Sequence, residues 1–262
     1  LDNNIPKIIH YCWFGHSSHN ELMSKCINSW KEHLPDYKII EWSERNFDIN
    51  SNIFVKEAYN LKKFAFVTDY VRLFVLYHYG GIYLDTDVEV KKNLDPFLSH
   101  SAFSGFEDEK RISTAIIGSK KNNYWIGELL EYYNNKRFVK EDGSLDIKTN
   151  VDIISSISEN QFNIKLNNEY QEVRDLLALY PREYFCPKDF KTGLLLKSEK
   201  TYTIHHFNGS WLEESYLHHI KSNYIIYKTF GKKLGRTILL IKEIYKEEGL
   251  PSLFSRIVKK IG

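Results

Sequence analysis

The sequence predicts an α/β fold with a mostly parallel central sheet and a basic helical C-terminal extension. Three observations predict it. Short apolar runs alternate with helical patterns between residues 7 and 119, the order that builds parallel sheets with helices on their faces. The most apolar helical stretch, FAFVTDYVRLFVLYHYGG (64–81), runs through a glycine pair straight into the apolar run IYLDTDVEV. Charge is also partitioned. The net charge is only +2, yet residues 221–262 hold ten Lys/Arg against three Glu, so the tail is a separate electrostatic object. The expected division is therefore 1–220 for the main domain and 221–262 for the extension.

Each element has its own reason. KIIHYCWFG (7–15) is a short apolar strand ending at Gly15, and NELMSKCINSWKEHLP (20–35) is a helix stopped by Pro35. YKIIEW (37–42) is a second strand, followed by a helical region to about Lys63. The helix 64–81 takes Gly80 as its C-terminal stop, and the strand 82–90 follows at once. SAFSGFE (101–107) and STAIIGS (113–119) read as strands, 122–135 as a helix, and 139–149 as a polar loop. TIHHFNGSW (203–211) is a strand running into a histidine pair, a glycine turn and Trp211. No element is predicted between 150 and 202. In sheets of this kind ligands bind beyond the C-terminal strand ends, where Trp13, Asp85 and Asp87 fall.

Composition narrows the function classes. A hydrophobic content of 42% with 15% aromatic residues specifies a packed globule and not a disordered chain. Cys12, Cys26 and Cys186 are an odd, widely spaced set without a C-x-x-C pair, which argues against a disulfide framework or zinc site. The opening LDNNIPKIIHYCWFG has neither the basic start nor the long apolar run of a secretion signal, and no stretch has the length of a membrane span. The expected location is cytoplasmic. The basic tail shows no zinc-finger pattern and no aromatic RNA-binding signature, so no nucleic-acid partner is expected.

Two carboxylates one residue apart on a strand share a face, and they repel unless a cation or donors lie between them. Hard oxygen ligands of this type suit Mg²⁺ or Mn²⁺. With 13 aspartates among 262 residues, chance alone supplies roughly 0.6 such triplets, so the setting must carry the argument. On the 64–81 helix Asp69 and Arg72 are three residues apart and share a face; an ion pair would explain them, and so would a charged face on the same pocket. His205 or His206 would complete a metal shell begun by Asp87, with the choice between them open. Trp13 and Trp211 are core residues or flat surfaces for a base or sugar.

These pieces, in this order, resemble the family 32 glycosyltransferases, the D-x-D sugar transferases of capsule and lipopolysaccharide synthesis, with yeast mannosyltransferase relatives and distant kinship to clostridial glucosylating toxins. IPKIIHYCWFG, PDYKIIEW, KFAFVTDYVRLFVLYHYGGIYLDTDVEV and HHFNGSW carry the resemblance, densely over 5–96, thinly over 97–200 and again at 203–211. It implies a GT-A type nucleotide-sugar fold, Mn²⁺ or Mg²⁺, and transfer with retention from a nucleotide-sugar, UDP being favoured, to a glycan or lipid-linked glycan acceptor. It further implies that Trp13 stacks on the base, that Thr68, Asp69 and Arg72 hold ribose and donor sugar, and that Tyr83 meets the diphosphate. Asp85 would contact ribose and sugar and lie by the metal, Asp87 would bind the metal directly, His206 would be the later metal ligand, and Trp211 would meet phosphate or sugar. Thr68 stands where Ser is more usual. Asp85, Asp87, Asp69 and Arg72 are the expected catalytic set.

A bacterial surface-glycan role is expected from the Lys-, Asn- and Ile-rich composition. The alternatives are a toxin or effector glycosylating a protein, and a non-catalytic sugar-binding module. The haloacid dehalogenase-like phosphatases also use an aspartate pair, but their motif needs Thr or Val where this chain has Glu89. In PSLFSRIVKKIG, Leu253, Phe254, Ile257, Val258 and Ile261 form one helical stripe flanked by Arg256, Lys259 and Lys260. Such a helix would dock peripherally on an anionic membrane, at the inner face of the cell membrane, or pack on protein.

Overall fold

The computed structural model describes residues 4–208, 222–231, 233–242 and 245. The chain divides into two compact units, one of Leu1–Pro187 with Lys197–Asn208, the other of Lys188–Leu196 with Gly209–Gly262.

The first unit is built on a seven-stranded sheet. Its strands are β1 (Ile8–Cys12), β2 (Lys38–Trp42), β3 (Gly81–Leu84), β5 (Ala102–Gly105), β6 (Ile116–Ser119), β7 (Gln171–Val173) and β8 (Leu177–Tyr180), in the order β2-β1-β3-β6-β5-β8-β7. β6 and β7 run against the other five, so the sheet is mostly parallel, as the sequence predicts. β4 (Val88–Val90) and β9 (Thr203–His205) form a separate antiparallel pair, with Val88 opposite His205.

Helix α1 (Glu21–His33) starts where the Asn20 side chain accepts the Met23 N–H, and its Met23, Cys26, Ile27 and Trp30 enter a core with β4 on one sheet face. α2 (Ile53–Asn60), α3 (Phe64–Tyr79), α4 (Tyr124–Glu131) and α5 (Asn150–Phe162) share the second core. The short α6 (Arg182–Phe185) precedes β9.

The glycine pair after α3 is a steric requirement. Gly80 has φ +66° and Gly81 φ +110°, and a Cβ on Gly81 would lie 2.7 Å from the Ile8 carbonyl oxygen. Only glycine reverses the chain here without strain or collision.

One expectation is corrected: 82–90 is not a continuous strand. β3 pairs with β6 only as far as Leu84, after which the Val88 N–H bonds the Asp85 carbonyl at 3.0 Å and turns the chain toward β9. A turn, and not the alternation of one strand, brings the two aspartates together. α5, β7, β8 and α6 lie in the stretch where the sequence predicts no element.

The second unit contains two described helices, α7 (222–231) and α8 (233–242). The Lys242 ammonium donates to the Ser222 hydroxyl, and a Cβ on Gly235 would lie 2.8 Å from the Tyr227 ring, so the helices fold back as a hairpin about Gly231 at φ +73°. The predicted stripe Leu253–Ile261 and Trp211 lie outside the described residues.

Candidate active site

The parallel pairing of β1 with β3 sets His10 opposite Tyr83, so the chain leaves both strands at one level, Trp13 from β1 and Asp85 from β3. α3 packs behind them and supplies Asp69 and Arg72. The Arg72 side chain is only 6% exposed, and burying a guanidinium requires compensation on all sides. Its Nη2 lies 3.0 Å from Asp69 Oδ1, its Nη1 donates to the Thr114 carbonyl at 2.6 Å and lies 3.3 Å from Asp85 Oδ1, and it sits 4.7 Å over the Tyr83 ring. Nε is buried without a hydrogen-bond partner. The Tyr83 hydroxyl donates to Asp85 Oδ1 at 2.9 Å. Two carboxylates, a backbone carbonyl and an aromatic face thus fix one cation.

Asp87 is fixed from the other side. Its Oδ2 accepts the Asn208 N–H at 2.7 Å, and its Oδ1 lies 3.3 Å from His205 Nε2. Ligand atoms of Asp85, Asp87 and His205 lie within 4.8 Å of one another, a set that could hold a divalent cation. Burial works against the Asp87 charge, but His205 and the backbone donors outweigh it and hold the carboxyl down at about 2. Burial likewise disfavours the His205 charge, and Asp87 overcomes it and raises the imidazole well above its ordinary value. Both shifts have one shared cause, the Asp87–His205 contact.

Burial pushes Asp69 up to about 7, reinforced by the Asp85 charge and opposed by Arg72. Arg72 is raised, because Asp85, Tyr83 and Asp69 prevail over its own burial. Arg72 is thus a fixed cation, and Asp69 is the carboxyl of the pair that burial brings toward neutrality.

The geometry distinguishes the two histidines left open by the sequence. His205, not His206, joins Asp85 and Asp87; successive residues of an extended chain point opposite ways, and His206 Nε2 lies 2.8 Å from Glu89 Oε2. Glu89 also pairs with Lys25 and Lys91 and lines a cleft of about 510 Å³ beside α1. Thr68 is not brought to the cluster by its hydroxyl, which donates to the Phe64 carbonyl one turn back. Trp13 borders a second cavity of about 390 Å³ with His16, His19, Glu41 and Glu44, and its ring meets His19 edge-on at 5.4 Å.

Two neighbours escape sequence reading. Cys186 Sγ lies 4.0 Å from His205 Nδ1. Glu107, just beyond β5, is raised by burial, and His205 and then Arg111 are the charges that most oppose the rise. No motif flags either; both come from the stretch 97–200, where the motif pattern is thin.

Residues 20–104 match the family model described as "Glycosyltransferase sugar-binding region containing DXD motif". The chain is 34% identical over 110 residues to Inositol phosphoceramide mannosyltransferase 1 of Schizosaccharomyces pombe, covering 38% of this chain and 33% of the relative. It is 32% identical over 149 residues to Mannosyl phosphorylinositol ceramide synthase SUR1 of Saccharomyces cerevisiae, covering 52% and 37%. The chain thus spans about a third of the length of these relatives. Among solved structures, the PaToxG glycosyltransferase aligns with a TM-score of 0.47 at 18% identity over 61% of this chain and 70% of that one. The D-x-D triplet within the matched residues is Asp85-Thr86-Asp87, and α3, with Asp69 and Arg72, lies within them too.

Proposed function

We propose that the protein transfers a sugar from a nucleotide diphosphate sugar to a hydroxyl of a glycan or of a polar head group carried on a lipid. The observation that carries this reading is the convergence of Asp85, Asp87 and His205 beside Arg72, with both aspartates and the arginine inside the stretch that matches the DXD sugar-binding model. Mannose is the favoured sugar, because the relatives are named mannosyltransferases; their names also favour a lipid-borne acceptor over the expected capsule or lipopolysaccharide. UDP is the nucleotide expected from the resemblance.

A leaving nucleoside diphosphate accumulates negative charge, and groups fixed where that charge develops lower the barrier without reorganising. Mn²⁺ or Mg²⁺, held by Asp85, Asp87 and His205, would supply Lewis-acid stabilisation of that charge. Arg72 adds a cation that Asp69 and the Thr114 carbonyl keep from swinging away. Tyr83 holds Asp85, and the Asn208 N–H holds Asp87 Oδ2, so the opposite oxygen keeps one orientation. Trp13 offers its face to the base at the mouth of the neighbouring strand. Transfer with retention rests on the resemblance.

A panel of UDP- and GDP-sugars, scored for Mn²⁺-dependent nucleotide release with and without glycolipid acceptors, tests the reading. Metal-dependent release from one donor, with NMR of the product giving the anomer, supports it. Donor binding without release from any of them would make the protein a sugar-binding module.

A further inference from the structure

The α7–α8 hairpin has an unusual tip. The stretch YKTFGKKLGRT (227–237) contains four basic residues, Lys228, Lys232, Lys233 and Arg236, and no acidic one. Lys233 and Arg236 are exposed and form no ion pair among the described residues, and Lys228 reaches only the Tyr224 ring at 5.7 Å. Between these cations stand Phe230, 49% exposed, and Leu234, 53% exposed. The turn at Gly231 holds them apart from the hairpin's own packing, and nothing lies within 4 Å of where a Gly231 Cβ would stand.

Keeping a phenyl ring and an isobutyl group in water has a cost of about 25 cal/mol per Å² of apolar surface, and the packing of α8 on α7 through Gly235 and Tyr227 does nothing to reduce it. Cations that sought only solubility would have no need of apolar neighbours at a turn. The combination matches the headgroup layer of an anionic bilayer, where lysine and arginine meet phosphate while an aromatic and an aliphatic side chain enter the acyl boundary. Among the described residues no helix is long and apolar enough to cross a membrane, so the contact is a docking and not a span.

We propose that this hairpin tip docks the protein on anionic lipid surfaces, with Phe230 and Leu234 inserting and Lys228, Lys233 and Arg236 holding the headgroups. The docking element is thus a turn between two helices, distinct from the C-terminal stripe 253–261 of the sequence. It does not depend on the transferase reading, since binding is measured without donor or acceptor.

The full chain is sedimented with phosphatidylcholine vesicles and with vesicles containing a third phosphatidylserine. Binding to the anionic vesicles only is expected. Each removed cation should weaken partitioning about fivefold, so Lys233→Ala with Arg236→Ala should weaken it about thirtyfold. Phe230→Ala with Leu234→Ala, which keeps every charge, should weaken it at least tenfold; all four positions are exposed, and thermal melting verifies the fold. As a direct probe, Thr229→Cys carries an environment-sensitive dye, the native Cys12, Cys26 and Cys186 being buried, and its emission should shift to the blue on anionic vesicles. Equal binding to both vesicle types, an unaltered Phe230/Leu234 variant, or a dye that stays in water would overturn the proposal. So would binding of polynucleotide by the tip with no binding of vesicles.

Discussion

His10 should make the fold acid-sensitive in a calculable way. It is buried in β1, its Nε2 is 2.8 Å from the Gly80 carbonyl, and its Nδ1 is 3.0 Å from Trp42 Nε1. An indole N–H can only donate, so Nδ1 must accept and Nε2 must carry the proton: the ring is neutral, in one tautomer. A second proton would face the indole N–H. Burial accordingly lowers the pKa from 6.5 to about 4 against the opposing pull of the Gly80 carbonyl. Above pH 6.5 neither the folded nor the unfolded chain holds the extra proton. Between 6.5 and 4 the unfolded chain binds it and the folded chain refuses it, so stability falls as pH drops, by about 1.4 kcal/mol per unit and about 3 kcal/mol in total. Urea unfolding of wild type and His10→Gln from pH 8 to pH 4.5 isolates the effect. Glutamine keeps a donor for Gly80 but strands the Trp42 N–H, so the variant should be less stable by about 1–3 kcal/mol at pH 8. The gap should close, or reverse, as pH falls. A gap independent of pH would refute the neutral, single-tautomer assignment.

Asp85→Ala and Asp87→Ala should each leave less than about a tenth of wild-type turnover at saturating Mn²⁺, with unchanged circular dichroism; higher turnover in both would remove them from the chemistry. His205→Ala should weaken Mn²⁺ binding, measured by titration calorimetry, at least as much as the 10–100-fold typical of losing a ligand's support, whereas His206→Ala should leave it near wild type; the opposite ranking would restore His206. Trp13→Ala should weaken nucleotide binding by roughly 1–3 kcal/mol, and an unchanged dissociation constant on folded protein would return Trp13 to a packing role.

The fold was legible wherever local chemistry and the tertiary environment agree. The α3 stop is written in Gly80, which caps the helix in the structure. The stretch from 150 to 187 was not legible for the opposite reason. β7 is only Gln171–Val173 and β8 only Leu177–Tyr180, too short for a periodicity to appear, and β8 owes its place to parallel pairing with β5, a partner about 75 residues away. α5 buries Asn150, Ser155 and Ser158 among its core positions, which blurs the apolar stripe by which an amphipathic helix is recognised. Those polar groups are satisfied from afar: the Ser158 hydroxyl receives the Trp125 indole N–H at 2.9 Å, and the Ser155 hydroxyl receives the Ile112 N–H at 2.9 Å.

The site shows the same division within one motif. Spacing alone places Asp69 and Arg72 on one helical face, and the structure makes them a pair; spacing also marks Asp85 and Asp87 as neighbours, although the turn that joins them differs from the strand it suggested. What spacing does not carry is register. Which histidine faces the aspartates is decided by how β9 aligns on β4, and a slip of one residue would exchange His205 for His206. Val88 opposite His205 and Val90 opposite Thr203 fix that alignment, with the buried Thr203 hydroxyl donating to the Phe185 carbonyl at 2.7 Å. Which histidine meets Asp87 is thus specified two residues away, by a threonine tied to α6. Loosening that tie should permit the slip: it is the anchoring of Thr203, as much as the histidine itself, that keeps an imidazole on Asp87.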